Sequence, residues 1–526
     1  MARNPPPDDR MTAPPGGGPR RRRRKLLRAG LAAAAAVVVT VTGLVTWWWS
    51  GADVNTAGKV RFTNRLDIPS LAPSHHDEAG RRVFDLRAGE GAGRFKPGPA
   101  TPTWGINGDY LGPMLRATRG EKVMIHLRND LAEPTTMHWH GMELPAVMDG
   151  GPHQVIKPGT TWSPTWSISQ PAATLWYHPH PHGRTAEHVY RGLAGMFIVD
   201  DPQTSPAALP HRYGTDDIPL IVQDKRFGSG NQLSLGQSRG GTGILGDTIL
   251  VNGTIAPYQE VTTEKVRLRV VNASNARVYN LGLSGDRPLT LIGTDGGLLP
   301  APRTVSRVQL SPGDRAEIIV TMRPGERVTL RSYQPDLGTG FLNTRLTGGH
   351  DSLDILQLRA ARRLAPSPPL PATLAPPPHV TAADTTISRI FALSGHRING
   401  RQMDMGRTDF AAAANSTEIW EVTNRSGQPH NFHVHGVQFR VLSVGGAVPG
   451  AGYAGWQDTI YLKPDTSIRI VVPIGRYADP QHPYMYHCHL LLHEDRGMMG
   501  QFLVIGPGQA PSGGGHSHPA PGSDGT

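Results

Sequence analysis

Glu121-Lys122-Val123-Met124-Ile125-His126-Leu127 alternates polar and apolar residues and runs on to Asn129. Alternation with a period of two marks a half-buried β-strand. The pattern returns as Glu264-Lys265-Val266-Arg267-Leu268-Arg269-Val270, which ends at Asn272, and as Thr417-Glu418-Ile419-Trp420-Glu421-Val422, which ends at Asn424. Each strand follows a similar tripeptide: Ile106-Asn107-Gly108, Val251-Asn252-Gly253 and Ile398-Asn399-Gly400, spaced 145 and 147 residues apart. A single Asn-Gly signals only a turn. Three at near-equal spacing predict three copies of one β domain. Copies one and three continue into histidine clusters, whereas copy two continues into Ala276-Arg277-Val278-Tyr279 and carries none.

A chain of 526 residues suits about three domains of roughly 150 residues. With 63 Gly, 48 Pro and only 18% charged residues, short strands and turns are favoured over long helices. The predicted fold class is all-β, a stack of Greek-key sandwiches or barrels, with domains at about 58–204, 205–362 and 380–507. Seven prolines fall within 361–380, so 363–379 is expected to be an extended linker. The Gly/Ser/Pro-rich tail 508–526 is expected to be disordered, and its His516 and His518 to be solvated tail residues.

The net charge of +11 is concentrated at one end. Residues 1–28 carry nine cations against Asp8 and Asp9, which leaves +4 for the other 498 residues. No basic domain face follows from that, so nucleic acid is excluded as a partner. Residues 1–28 read as a basic cytoplasmic arm. Ala29–Trp49 is uncharged for 21 residues, long enough to span a bilayer as a helix. Arg20–Lys25 precedes it, which keeps the N-terminus cytoplasmic and puts the rest of the chain outside. A membrane anchor is preferred to a cleaved export signal, although Arg23-Arg24-Lys25-Leu26-Leu27 weakly resembles a twin-arginine signal. Either reading makes the remainder extracytoplasmic, where disulfides would be permitted. The chain has one Cys, Cys488, so an internal disulfide is impossible.

That cysteine lies in His487-Cys488-His489, followed by His493 and Met498. On a strand, neighbours point to opposite faces. Cys488 would face one side and its two histidines the other, so one segment could serve two metal centres. Cys488, His493, a weak axial Met498 and a second histidine, with His430 the candidate, make a blue-copper electron-transfer site. Zinc tolerates Cys and His but has no use for a distant Met. Four His-x-His pairs complete the pattern: His138/His140, His178/His180, His433/His435 and His487/His489. Residues i and i+2 share a strand face, so eight imidazoles could line one cavity, a number that suits three coppers. His153, His182 and His188 are left out of the ligand set, as solvent-facing or supporting residues.

His138-Trp139-His140-Gly141, Trp176-Tyr177-His178-Pro179-His180, His430-x-x-His433-x-His435-Gly436 and His487-Cys488-His489-x-x-x-His493-Glu494-x-x-Gly497-Met498-Met499 resemble the four copper motifs of multicopper oxidases. The likeness is to bacterial three-domain members: laccase-like, bilirubin-oxidase-like and cuprous oxidases. It implies three cupredoxin-like sandwiches and four coppers. It assigns the type 1 ion to His430, Cys488, His493 and Met498, and the type 2 ion to His138 and His433. The type 3 pair falls to His140, His178, His180, His435, His487 and His489. It also implies dioxygen as electron acceptor, with Asp149 and Glu494 as proton relays. One position departs from the pattern: Asn431 stands where the family usually has Pro, and a local turn change with intact ligation is expected.

Cuprous oxidases resemble this chain at Gln170–Thr174 and Leu490–Asp495, but they also carry a Met-rich insert before the third domain. Here only Met403 and Met405 lie close together, and Ser426-Gly427-Gln428-Pro429 precedes the third motif. Phenols or aromatic amines are therefore the expected substrates, with Cu(I) oxidation as the alternative. A copper-free cell-envelope scaffold of the same fold is the remoter alternative, since such proteins lack the ligand set. A carrier with a blue-copper site alone would not need eight further histidines. A monomer is expected.

Overall fold

The structure is a computed structural model that describes residues 1, 19–50, 52–236, 240–377 and 387–510. Most of the basic arm, the tail with His516 and His518, and the end of the expected linker lie outside the described residues. Pro19–Ser50 is a helix. Among the described residues no helix is long and apolar enough to cross a membrane, so the anchor expected over Ala29–Trp49 is not shown. The side chains of Trp47, Trp48 and Trp49 lie outside the described set.

From Asp53 onwards the described residues form six β-sheets, two to each sequence copy. In every copy the strand that opens the domain runs parallel to the alternating strand read from sequence. Arg82–Gly93 pairs with Lys122–Asn129, Asp217–Lys225 with Lys265–Asn272, and Ile387–Ser394 with Thr417–Asn424. In the facing sheet of each copy a short strand lies parallel to the last one: Leu115–Thr118 with Gly195–Asp200, Pro257–Thr263 with Leu353–Ala365, and Phe410–Ala413 with Met499–Ile505. Repeated pairing of this kind makes three cupredoxin-like sandwiches. Each buries its own apolar cluster, typified by Phe84, Val123 and Ile125, by Val266, Leu268 and Ile318, and by Trp420, Phe432 and Ile470.

The repeated asparagines explain why the copies can be read from sequence. Asn107, Asn252 and Asn399 all adopt positive φ, at 58°, 50° and 51°, a region that Asn tolerates better than most residues. Each side-chain oxygen accepts the N–H of Arg87, Ile221 or Ala392, and each amide donates to the carbonyl of Asp85, Pro219 or Ile390. The strand-end residues Asn129, Asn272 and Asn424 repeat a second device. Each donates to a carbonyl in the following turn (Glu133, Arg277, Gln428) and to one across the sandwich (Ile156, Leu310, Leu462). These are fold-making residues.

Two expected boundaries are corrected. Residues 54–66 belong with the second sandwich, not the first: Val54 N–H donates to Asp351, Gly58 N–H to Asp354, and Asn64–Arg65 pairs with Pro257 and Tyr258. The linker begins later than 363, because the strand Leu353–Ala365 runs through that point. Beyond it the chain is extended, yet Leu374 is buried with Leu209, Ile292 and Ile319. Apolar burial holds the proline-rich segment onto the second sandwich.

Candidate metal centre

The four motifs meet between the first and third sandwiches. His138–His140 is a short strand paired with the end of Ala173–His178, and His433 pairs with His487 across the third sandwich. Strand Asp479–His487 stops at His487, so Cys488 and His489 lie just past the strand rather than within it. The predicted alternation of sides persists all the same.

On one side, Cys488 Sγ lies 3.6 Å from His430 Nδ1 and 3.7 Å from His493 Nδ1, and the two nitrogens are 3.1 Å apart. Met498 is buried in the same apolar cluster as Cys488 and Leu490. Its N–H donates to His493 O, and Cys488 N–H donates to Met498 O. Burial pushes the Cys488 thiol up to about 12. A thiolate there needs a cation beside it.

On the other side the eight imidazoles sort into one pair and two trios. His138 Nε2 faces His433 Nε2 at 3.5 Å. His178 Nε2 lies 3.4 Å from both His140 Nδ1 and His489 Nε2. His487 Nε2 lies 3.1 Å from both His180 Nε2 and His435 Nε2. Every His-x-His pair therefore straddles two positions. The pairs share one cavity, as expected, but neighbouring members serve different sets.

The outer nitrogens show that these sets want cations. His138 Nδ1 donates to Asp149 O, His178 Nδ1 to Pro179 O, His433 Nδ1 to Asp458 O, and His487 Nδ1 to Cys488 O. His435 Nδ1 donates to Asp149 Oδ2 at 2.6 Å, His140 Nε2 to Asp458 Oδ1 at 3.0 Å, and His493 Nε2 to Gly241 O at 3.1 Å. Carbonyl and carboxylate oxygens only accept, so in each ring the proton sits on the outer nitrogen. The inner nitrogen is then a bare lone pair, aimed at another bare lone pair 3.1 to 3.5 Å away. A cation relieves that repulsion. Burial drives His180 and His487 down to about 3 and His433 and His493 to about 4, which keeps those four rings neutral. Neutral imidazole is the metal-binding form. The donor set fits copper, soft sulfur on one side and imidazoles on the other.

Both expected relay acids are buried at the cluster. Asp149 carries His435 and backs His138, with Oδ1 3.4 Å from His138 Nδ1. Glu494 reaches His180 Nδ1 at 3.4 Å and His487 Nδ1 at 3.2 Å. Burial raises its carboxyl above the usual range against the pull of His180. Of the three excluded histidines, His153 and His182 are exposed. His188 is buried, held by Thr135 and Glu133 and packed edge-on to Trp104. All three stay out of the ligand sets.

Sequence reasoning missed Asp458 and Arg315. Asp458 bonds His140 through Oδ1 and His433 through its carbonyl, and both of its oxygens are gripped by Arg315 of the second sandwich. Burial alone would raise the Asp458 carboxyl, but Arg315 and His140 hold it well below the carboxylate range. The same middle-sandwich segment brings Gly313, at φ +92°, against the His140 and His489 rings, where a Cβ would lie 3.2–3.3 Å from ring atoms. The copy without a histidine cluster thus braces the metal centre. No residue spacing signals this, because the partners lie 143 residues apart. The expected turn change at Asn431 is also corrected, since Asn431 continues the strand His430–Val434.

Three multicopper oxidase family models match, at residues 88–204, 229–333 and 370–507. A multicopper oxidase of Staphylococcus haemolyticus is 37% identical over 451 residues, covering 84% of this chain and 92% of the relative. The cell division protein FtsP of Escherichia coli is 37% identical over 446 residues, covering 84% and 92%. Among solved structures, a laccase-like multicopper oxidase of Ochrobactrum sp., described as active towards lignin model compounds, superposes with a TM-score of 0.76 at 35% identity, covering 84% of this chain and 100% of that one. The chain belongs to the multicopper oxidase family.

Proposed function

We propose that this protein is a laccase-like oxidase with four coppers, oxidising phenols or aromatic amines one electron at a time and passing the electrons to dioxygen. His430, Cys488, His493 and Met498 would hold the type 1 ion, and His138 and His433 the type 2 ion. His140, His178 and His489 would hold one type 3 ion, and His180, His435 and His487 the other. The observation that carries this reading is the convergence of neutral, outward-protonated imidazoles beside one buried sulfur.

Copper at these positions supplies one-electron acceptance from the reductant and the four-electron, four-proton reduction of dioxygen to two waters. The protein does the rest. His487-Cys488-His489 joins the sulfur site to both trios by a few covalent bonds. Asp149, Asp458 and backbone carbonyls fix the ring orientations. Glu494 holds a proton next to His180 and His487, and burial excludes bulk water from both centres.

Export through Ala29–Trp49, with or without retention as an anchor, would put the sandwiches outside the cytoplasm, as a monomer. A copper-free scaffold role, or a cell-division role such as the FtsP relatives' name indicates, is disfavoured because every ligand position is filled. Cu(I) oxidation is the stronger second reading. Met403 and Met405 flank Asp404 and are partly exposed, and Met403 N–H donates to Gly497 O, next to Met498. An oxygen-electrode screen over phenols, aromatic amines and Cu(I) tests the assignment. Rapid turnover of Cu(I) alone would replace the phenol reading, and no oxygen uptake with any donor would remove both.

A further inference from the structure

His493 is 2% exposed, too little for an aromatic donor to stack on. Its Nε2 is already committed to Gly241 O at 3.1 Å. His396, by contrast, is partly exposed and packs edge-on against the His493 ring, with centroids 5.0 Å apart and planes at 79°. It sits on the hairpin in which Ser394 pairs with Arg397. Arg496, just past His493, is exposed, and its Nη1 lies 3.3 Å from His396 Nε2. A guanidinium only donates, so Nε2 accepts and the His396 proton sits on Nδ1. The backbone at Arg496 is fixed: its N–H donates to Leu492 O, and its carbonyl accepts Gln402 Nε2 at 2.8 Å. Burial pushes His396 below the usual imidazole range, and Arg496 adds to it. At His493 burial again leads, and His396 and Arg496 act in the same direction. The field at this face is that of a cation.

We propose that the preferred reductants are aromatic donors carrying a carboxylate or sulfonate, docked with the ring on His396 and the anion on Arg496. This rests on the oxidase reading and narrows its substrate class. A guanidinium offers several N–H donors in a planar fork that matches a carboxylate, more than its contact with His396 uses. Charge-assisted pairs of this kind fix orientation as well as adding affinity. With the anion held there, the donor ring lies against the imidazole that touches His493. The donor gives up one electron, which crosses the two imidazoles to the type 1 site. A phenolic donor loses its O–H proton to solvent in the same event and leaves as a phenoxyl radical, and His396 itself is unchanged. Arg496 repels aromatic donors that carry an ammonium group, so the face also selects against cations.

Binding of 4-methoxybenzoate and 4-methoxybenzamide tests this. The two share a ring, differ in charge, and have no phenolic hydroxyl to oxidise. In the copper-loaded full chain, reduced to Cu(I) without oxygen and labelled with nitrogen-15 histidine, the His396 ring resonances report binding. The unmodified chain should bind the carboxylate about fivefold more tightly than the amide, the upper end for an exposed Arg–carboxylate pair. Arg496→Gln should abolish that preference, and Arg496→Lys should keep part of it. Turnover should follow the same order. In Arg496→Gln, kcat/KM for a phenol carboxylate relative to the uncharged phenol should fall by about the same factor, mostly through KM. Equal affinities in the unmodified chain, or shifts confined to histidines other than His396, overturn the proposal and leave the oxidase reading intact. No oxygen uptake with any phenol would overturn the oxidase reading and this proposal with it.

Discussion

Arg315 and Asp458 form a two-pronged ion pair, Nη1 to Oδ1 at 2.7 Å and Nη2 to Oδ2 at 2.5 Å, with both side chains fully sealed from solvent. It joins the second sandwich to the third directly behind His140 and His433. Removing one partner of a buried pair strands the other charge. Arg315→Met should therefore destabilise the protein by about 3–5 kcal/mol. It should also deplete the copper proposed for His138 and His433 while the blue band remains. Denaturant unfolding with electron paramagnetic resonance checks both. An unchanged type 2 signal would mean that Arg315 is only an interdomain tie.

Cys488→Ser removes the thiolate and leaves all eight cluster histidines in place. About three coppers should remain bound, the blue band should vanish, and oxygen uptake should fall by more than the roughly 100-fold that loss of an outer partner can cost. Visible spectra and steady-state oxygen consumption measure this. Retention of the band would place the chromophore elsewhere.

Glu494→Gln keeps the shape of a side chain that touches His180 and His487 but removes its ability to release and regain a proton. Copper content and type 1 potential should be unchanged, with turnover lowered by about 10²-fold or more and an altered solvent isotope effect. Turnover equal to that of the unmodified protein would reduce Glu494 to a ring support.

How far the site was legible follows from where its signals lie. The His-x-His pairs and Cys488 are dense local patterns, and the convergence of these side chains is legible in them. The three copies were legible because Asn252 and Asn399 must repeat what Asn107 does at a left-handed turn. Asp458 and Arg315 gave no signal: a lone Asp and a lone Arg on strands of different sandwiches become partners only through packing. The second copy has no histidine cluster to mark it, yet Gly313 and Arg315 back the imidazole cluster and Ser311 bonds Asn431 beside Cys488. Asn431 was noticed as an oddity, but its contacts could not be inferred without the Cys488 side of the ladder. Residues 58–66 join the second sandwich although the sequence groups them with the first, because nothing local says which sheet edge an N-terminal strand will join.

Metal-free protein should weaken as the pH falls. Burial holds His180 and His487 at about 3 and His433 and His493 at about 4, whereas unfolded imidazoles titrate near ~6.5. Below about pH 6.5 the unfolded chain binds protons that the folded chain refuses, so stability drops with falling pH until the folded rings themselves protonate. Each ring contributes ~1.4 kcal/mol per pH unit in that window. Above about pH 7 these groups add no slope. Urea unfolding of the metal-free chain at pH 7, 6 and 5 measures the trend, and a flat profile would contradict the burial of neutral imidazoles.

The central claim is that one sulfur site and three imidazole-lined positions each hold a copper. The most direct measurement is the copper content per chain of purified, copper-reconstituted protein. Four ions per chain are expected, with about one of them lost in Cys488→Ser. A value near one or zero in the unmodified chain would contradict it.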